Sequence, residues 1–174
     1  TAMKTDAVTF AEAISGARII PLTQGRLCFV DEEDFERVSQ FKWYCDTGYA
    51  ARGAYDKQTG KQRKQRKQKL HRFIIGEIPE GHEVDHRDGE KLNNRRHNLR
   101  ICTHAQNVRN KSLHKNNTSG HKGVSFFKPT GQWLVHIGVN GKSKHIGLFD
   151  KIEDAAMAYA KAASEHYGDF AKLN

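Results

Sequence analysis

Only three cysteines and three prolines occur in the 174 residues. No stretch approaches the about 18 consecutive apolar residues of a membrane helix. Cys28, Cys45 and Cys102 are odd in number, far apart and form no Cys-x-x-Cys pair. That argues against a disulfide framework and a zinc ribbon, and the three read as small buried hydrophobes in a reducing compartment. The first residues lack the basic-then-apolar pattern of a secretory leader, so the expectation is a soluble cytoplasmic chain. Apolar residues make up only 37% of the chain, which favours several modest cores over one large one.

What is present in excess is positive charge: 29 Lys and Arg against 20 Asp and Glu, a net +9. Such a surplus favours a polyanionic partner, nucleic acid first and an acidic membrane second. The surplus is concentrated. Residues 57–115 hold 16 cationic and 6 acidic side chains, whereas residues 1–56 hold 6 and 9, and residues 116–174 hold 7 and 5.

The pattern along the chain is mixed. Short β-like runs (18–22, 26–30, 42–45, 49–55) surround an acidic helical stretch, Glu32–Gln40, with Asp31 as its candidate N-cap. Gln24-Gly25 and Thr59-Gly60 supply turn chemistry. The second of these turns leads into an arm at 61–69 in which six of nine residues are cationic. No packed core accepts such an arm, so it is a solvated ribbon or a ribbon laid on phosphates; Lys64, Arg66, Lys67 and Lys69 are its candidate contacts. A strand at His82–His86, a loop at 87–97, a strand at Leu99–Thr103 and a helix from about His104 to Lys111 follow. Thr103 with Gln106 is a capping box at that helix start. A polar linker at 110–120 precedes three strands (123–127, 132–139, 143–149), the last two joined by Asn140-Gly141, a strong hairpin signal. Asp150 and Glu153 form a second capping-box pattern for a helix over 151–167, which Gly168 is placed to end in a left-handed cap.

Chemistry concentrates in the middle segment. Phosphodiester hydrolysis needs a divalent cation to neutralise developing charge, a base to activate water, and ligands that leave coordination positions open. Asp85 and His86 offer an oxygen ligand and a base side by side, and Arg87-Asp88-Gly89 supplies the irregularity needed to bring them to one site. Asn107, one turn into the helix capped by Thr103, adds a neutral oxygen. One carboxylate and one amide suit Mg2+ or Mn2+ better than zinc. The bland reading is that each is an ordinary solvated or loop residue, and Asn93, Asn94 and Asn98 suit loops well. His82, His97, His104 and His114 carry no such signal.

Val84-Asp85-His86, Asn93-Asn94-Arg95-Arg96-His97-Asn98-Leu99-Arg100 and Gln106-Asn107 resemble the HNH, or ββα-metal, endonuclease motif of phage and intron-borne enzymes. The resemblance implies that Asp85 and Asn107 bind metal, that His86 is the general base, and that Asn98 pins the loop by side-chain to backbone hydrogen bonds. His71, in a Leu-His-Arg run, falls at the site periphery or on phosphate, with Arg72, Arg95, Arg96 and Arg100 as further phosphate candidates. The last motif position is Asn107 where many members carry His.

Ser119-Gly120-His121-Lys122-Gly123-Val124, Gly131-Gln132-Trp133, Ile146-Gly147-Leu148-Phe149 and Glu153-Asp154-Ala155-Ala156-Met157-Ala158-Tyr159 are similar to the APETALA2-type DNA-binding domain of plant ethylene-response factors. That similarity implies a three-stranded sheet laid in the major groove with the helix behind it. Alternation puts Trp133, Val135 and Ile137 on the helix side, leaving Lys122, Ser125, Phe127, Lys128, His136, Lys144 and His145 as candidate contacts. The plant arginines and tryptophans are missing at several of these positions, so sequence preference is expected to be weak or different.

The expected fold class is α+β: a ββα-metal nuclease domain followed by a three-stranded antiparallel sheet packed on one helix. The domains would be 1–112 (an α+β part at 1–78 and the motif at 79–112), a linker at 113–116, and 117–174. The expected function is a Mg2+- or Mn2+-dependent endonuclease acting on double-stranded DNA, with no membrane or small-molecule partner, in a bacterial or phage-infected cell. The alternative is a catalytically silent DNA-binding or regulatory protein on the same fold.

Overall fold

The computed structural model describes residues 16–55, 62–111, 113–114 and 116–173. The Thr59-Gly60 turn falls outside them. The chain divides into two compact units, Thr1–Cys102 and Thr103–Asn174.

The first unit is mixed α+β. β1 (Ala17–Thr23) and β2 (Leu27–Asp31) form a hairpin in which Ile20, Leu22, Cys28 and Val30 alternate into the core. Its turn, Gln24-Gly25, has positive φ at both residues (75° and 71°), matching the right-handed twist of the strands. α1 (Glu32–Ser39) buries Asp34 and Val38, four residues apart on one face. Asp31 sits at its N-cap position but makes no side-chain cap bond. Its carboxylate instead accepts from Arg95 Nε (2.8 Å) and the Arg96 backbone N–H (2.7 Å), so tertiary ionic partners outcompete the local cap.

β3 (Trp43–Asp46), β4 (Tyr49–Tyr55) and β5 (Gln62–Lys69) complete a five-stranded sheet ordered β2-β1-β3-β4-β5, in which β1 and β3 pair in parallel and all other neighbours antiparallel. A helix that the sequence reading did not separate, α2 (Leu70–Ile75), follows at once and buries Leu70, His71 and Ile74. β6 (His82–His86) and β7 (Leu99–Thr103) form a two-stranded sheet. Val84 and Leu99 from these strands join Val38, Trp43, Ala50, Leu70 and Ile74 in one core. The intervening loop is fastened to β2: Phe29 N–H donates to Leu92 O (2.9 Å) and Asn94 N–H to Phe29 O (2.8 Å).

The second unit begins with α3 (His104–Asn110), capped by Thr103, whose hydroxyl accepts from Gln106 N–H while the Gln106 side chain accepts from Thr103 N–H. The polar stretch read as linker is knitted together from Asn117 onward. Gly120 N–H donates to Asn117 Oδ1 (2.7 Å) and Ser119 Oγ to Val124 O (2.7 Å), so short polar side chains supply bonds that a core does not.

β8 (Val124–Phe127), β9 (Gln132–Val139) and β10 (Lys142–Phe149) form an antiparallel sheet ordered β10-β9-β8, on which α4 (Ile152–Tyr167) packs. α4 buries Ala155, Ala162 and Ala163 against Val124, Val135 and Ile137. The packing is tight enough that a Cβ on Gly123 would stand 2.3 Å from the Tyr159 ring and 2.5 Å from His136 O. Two local readings are corrected here. The N-cap of α4 is Lys151 without a side-chain bond, because Asp150 accepts from Gln132 Nε2 (2.9 Å) across the sheet edge. Gly168 has φ 52° but ψ −129°, outside the left-handed helical region, and the chain runs on into a short 3-10 turn, Gly168–Phe170.

Candidate active site and nucleic-acid surface

β6 ends at His86, whose carbonyl accepts from Gly89 N–H (3.0 Å), and Gly89 takes a positive φ of 83°. Asp85 and His86 are both buried, and each is held by a different partner. Arg100, opposite on β7, directs Nε (3.0 Å) and Nη2 (2.8 Å) onto Asp85 Oδ2. Both side chains of that pair are buried, so geometry and charge neutralisation must offset a large desolvation cost.

His86 Nε2 lies 3.3 Å from Asn94 Oδ1. Its ring meets His71 edge-on, centroids 5.1 Å apart, and Tyr49 at 6.0 Å. Burial lowers the His86 imidazole below its ordinary value, opposed by the Asn94 hydrogen bond and the Asp88 and Asp85 carboxylates. The proton is therefore off this ring at neutral pH, the state a base requires. His71 is lowered further, to about 3, by burial and then by His86, Lys69 and Arg72.

Asn98 closes the loop. Its Nδ2 donates to Asn93 O (2.8 Å) and Asp88 Oδ1 (2.9 Å), and its Oδ1 accepts from Asp88 N–H (3.1 Å). Asp85, His86 and Asn98 thus come together in the first unit, while Asn107 lies on α3 in the second. Among the described residues no three His, Cys, Asp or Glu side chains gather in a metal-holding cluster. The donors that the chain offers are one strand-end carboxylate and one helical amide. Donors of these two kinds suit a hard cation that keeps water and substrate oxygens as its remaining ligands better than they suit zinc.

The cationic candidates separate into engaged and exposed. Arg95 pairs with Asp31 (2.8 Å), and Arg96 pairs with Glu33 (2.6 Å) and with buried Asp34 (2.7 Å). Arg100 is buried on Asp85, and His71 is buried and neutral. Arg95, Arg96 and Arg100 thus reach carboxylates within the chain, and His71 lies against His86 at the periphery of the site. Arg72 is exposed on α2. Lys67 pairs with Asp46 (2.8 Å) at an exposed position, and the Lys69 ammonium sits 4.0 Å from the Tyr49 ring centroid. Lys64 and Arg66 lie on β5, where the side chains of 62–66 fall outside the description.

Register defines the two faces of the second unit's sheet. Ser125 pairs with Leu134, Leu134 with Leu148, and His136 with His145. These side chains share the face away from α4, together with Phe127. Lys144 pairs with Ile137 and therefore belongs to the helix side, its Nζ 3.5 Å from His166 Nε2. A bulge between His145 and Gly147 breaks simple alternation beyond that point. Lys122 donates to Arg109 O (3.1 Å) at the end of α3, so its ammonium serves a helix C-terminus rather than the open face. Lys128 is exposed beyond β8.

Tyr49, Cys28, Asp31, Asp34 and Asn94 frame the site, none of them having been assigned a role there from the sequence. For Asp31 and Asp34 a signal existed: an acidic cluster at 31–36 complementary to Arg95-Arg96. For Cys28 and Tyr49 none did.

A family profile described as HNH endonuclease matches residues 70–109. An uncharacterized HNH endonuclease of Acanthamoeba polyphaga mimivirus is 32% identical over 180 residues, covering 100% of this chain and 88% of the viral protein. Protein 3.8 of Escherichia phage T7 is 36% identical over 98 residues, 56% of this chain and 80% of its own length. APETALA2-like protein 2 of Oryza sativa is 38% identical over 60 residues, which is 34% of this chain and 14% of the plant protein. No solved structure matches.

Proposed function

The chain belongs to the HNH endonuclease family, and from that premise we propose that it hydrolyses phosphodiester bonds of double-stranded DNA with the help of a divalent cation, Mg2+ or Mn2+. The observation that carries this reading is His86, a buried, deprotonated imidazole at a strand end beside the oriented carboxylate of Asp85. Asp85 and Asn107 would hold the cation, which when bound supplies charge neutralisation at the phosphate and at the leaving 3′ oxygen. His86 takes a proton from the attacking water as its oxygen closes on phosphorus. Asn98 keeps the loop after His86 in one conformation, and Arg100 keeps Asp85 in one rotamer. The 5′ phosphate stays with the released strand.

DNA would be held by two surfaces. Cations of the first unit, the exposed Arg72 and Lys67 together with Lys69, Lys64 and Arg66 of the β5 arm, supply affinity that falls with salt. The open face of the second unit, Ser125, Phe127, Leu134, His136 and His145 with Lys128 at its edge, supplies contact with the groove. The similarity to APETALA2-like protein 2 over 60 residues supports that assignment. For cutting and binding the functional division remains 1–112 and 117–174. The viral and phage relatives support a role on mobile or viral genomes, such as homing.

Supercoiled plasmid incubated with the full chain and Mg2+ or Mn2+ should be nicked or linearised, and chelator should abolish this. His86→Ala should lower the cleavage rate by about 10² to 10⁴ with DNA affinity retained. Intact plasmid under conditions where binding is measured would overturn the enzyme reading in favour of a silent DNA-binding protein.

A further inference from the structure

Each base shows a different edge in the major groove, and each edge has its own protein complement. Guanine takes a cationic fork, cytosine a carboxylate, adenine a side-chain amide, and the methyl group of thymine an apolar contact. The open face of the second unit's sheet offers mainly the last of these. Its central row is Ser125, Leu134 and Leu148, opposite one another on β8, β9 and β10. In the row on one side Phe127 stands opposite Gln132, and in the row on the other His136 stands opposite His145. Residues two apart on a strand share a face, so Leu134 and Leu148 make one apolar patch with Phe127 at its corner. Phe127 and Leu148 are each 38% exposed, and Leu134 on the middle strand is half-buried.

The complements of the other three bases are missing from the face or engaged elsewhere. Among its described residues there is no Arg, Lys, Asp or Glu. Lys142 and Lys144 stand opposite Val139 and Ile137, whose side chains pack toward α4, so both lysines belong to the other side of the sheet. The amide of Gln132 donates to Asp150 Oδ1 (2.9 Å). Serine and histidine can donate to or accept from several base edges and discriminate little between them. With no carboxylate on the face, nothing there repels a polyanion, and the exposed Lys128 past the end of β8 is a point charge suited to phosphate.

We propose that this face reads thymine: Leu134, Leu148 and Phe127 pack on thymine methyl groups in the major groove and give the chain a preference for A·T-containing sites over G·C-rich ones. This rests on the DNA-binding reading of the second unit and adds to it the base that is read. Burying one methyl group changes affinity by about fourfold, so a patch that covers two or three of them is enough to select a site.

The test measures fluorescence anisotropy of the full chain in chelator, at one fixed salt concentration, on labelled duplexes of equal length. An A·T-rich duplex is compared with the same duplex carrying deoxyuridine for thymidine, which pairs identically and lacks only the methyl. A G·C-rich duplex is compared with its 5-methylcytosine form, which places a methyl at the matching groove position. Loss of the thymine methyls should weaken binding by about fourfold for each one contacted, and methylation of cytosine should tighten it by a similar factor. Leu134→Ala combined with Leu148→Ala should bring the thymine and uracil duplexes to one affinity. Equal wild-type affinity for those two duplexes overturns the proposal, whether or not the double variant folds. So does a folded double variant that keeps the full thymine preference. A double variant with unchanged affinity for every duplex gives the patch to a protein partner instead. Failure of the DNA-binding reading looks different: the wild-type chain would then bind none of the duplexes, and both readings fall together.

Discussion

The two units spend their interiors differently. In the first, Asp34, His71, Asp85, His86, Asn94, Asn98 and Arg100 are buried beside an aliphatic core; in the second, Asn110 is the one buried polar side chain among the described residues, and the core is valine, isoleucine and alanine. A base and a metal ligand have to be immobile, and side chains are immobilised by hydrogen bonds in a low-dielectric interior at the expense of desolvation. A surface that only has to lie against a partner needs a flat, firmly backed sheet, which an alanine-faced helix at close range supplies. Chemistry is bought with buried polarity, and contact is obtained from plain packing.

The most severe way to break this contrast is to orphan a buried charge in the first unit. Arg100→Ala leaves Asp85 buried without its guanidinium and should cost roughly 3–5 kcal/mol in urea denaturation. An equivalent loss in the second unit has to come from sterics. Gly123→Ala would drive a methyl into the Tyr159 ring at a backbone φ of 64°. Overpacking of this kind should cost about 1–3 kcal/mol.

Acid should separate the units further. His71 titrates at about 3 when folded against an ordinary 6.5. Below 6.5 the unfolded chain therefore binds a proton that the folded chain refuses. Stability from this residue is full above pH 6.5 and is lost progressively as pH falls toward 3, by roughly 2 kcal/mol at pH 5. His71→Phe should flatten that part of the stability–pH curve measured by denaturant titration. The smallest thermodynamic effect belongs to the open sheet face: Leu134→Ala should move stability by under about 1 kcal/mol yet weaken DNA binding. Unchanged affinity in the full chain would remove this face from the interface.

Local rules carried the reading of the chain where structure is decided locally. The Asn140-Gly141 hairpin, the Thr103/Gln106 capping box and the helix-side set Trp133, Val135 and Ile137 are each determined by neighbours within a few residues or by strict alternation. The misreadings have the opposite character. Asp31 looks like a cap until Arg95 and Arg96 arrive from 64 and 65 residues away. Lys144 is placed opposite Ile137 only by the register across the hairpin. Composition counts Arg95, Arg96 and Arg100 as charges without showing the carboxylates they pair with. Asp85 and His86 stand out in the sequence as candidates, but what holds them does not: Asn94 reads as one more loop asparagine until Cys28 stands behind it.

The loop between β6 and β7 is fastened to Phe29, Cys28, Asp31 and Asp34, all contributed by the first hairpin and α1. The recognisable motif is therefore not portable. A fragment cut at the limits of the family match, residues 70–109, would contain Asp85, His86, Asn98 and Asn107 and none of these moorings. The smallest transplantable cutting unit starts at the first strand, and grafting the motif onto another scaffold would require bringing that hairpin with it.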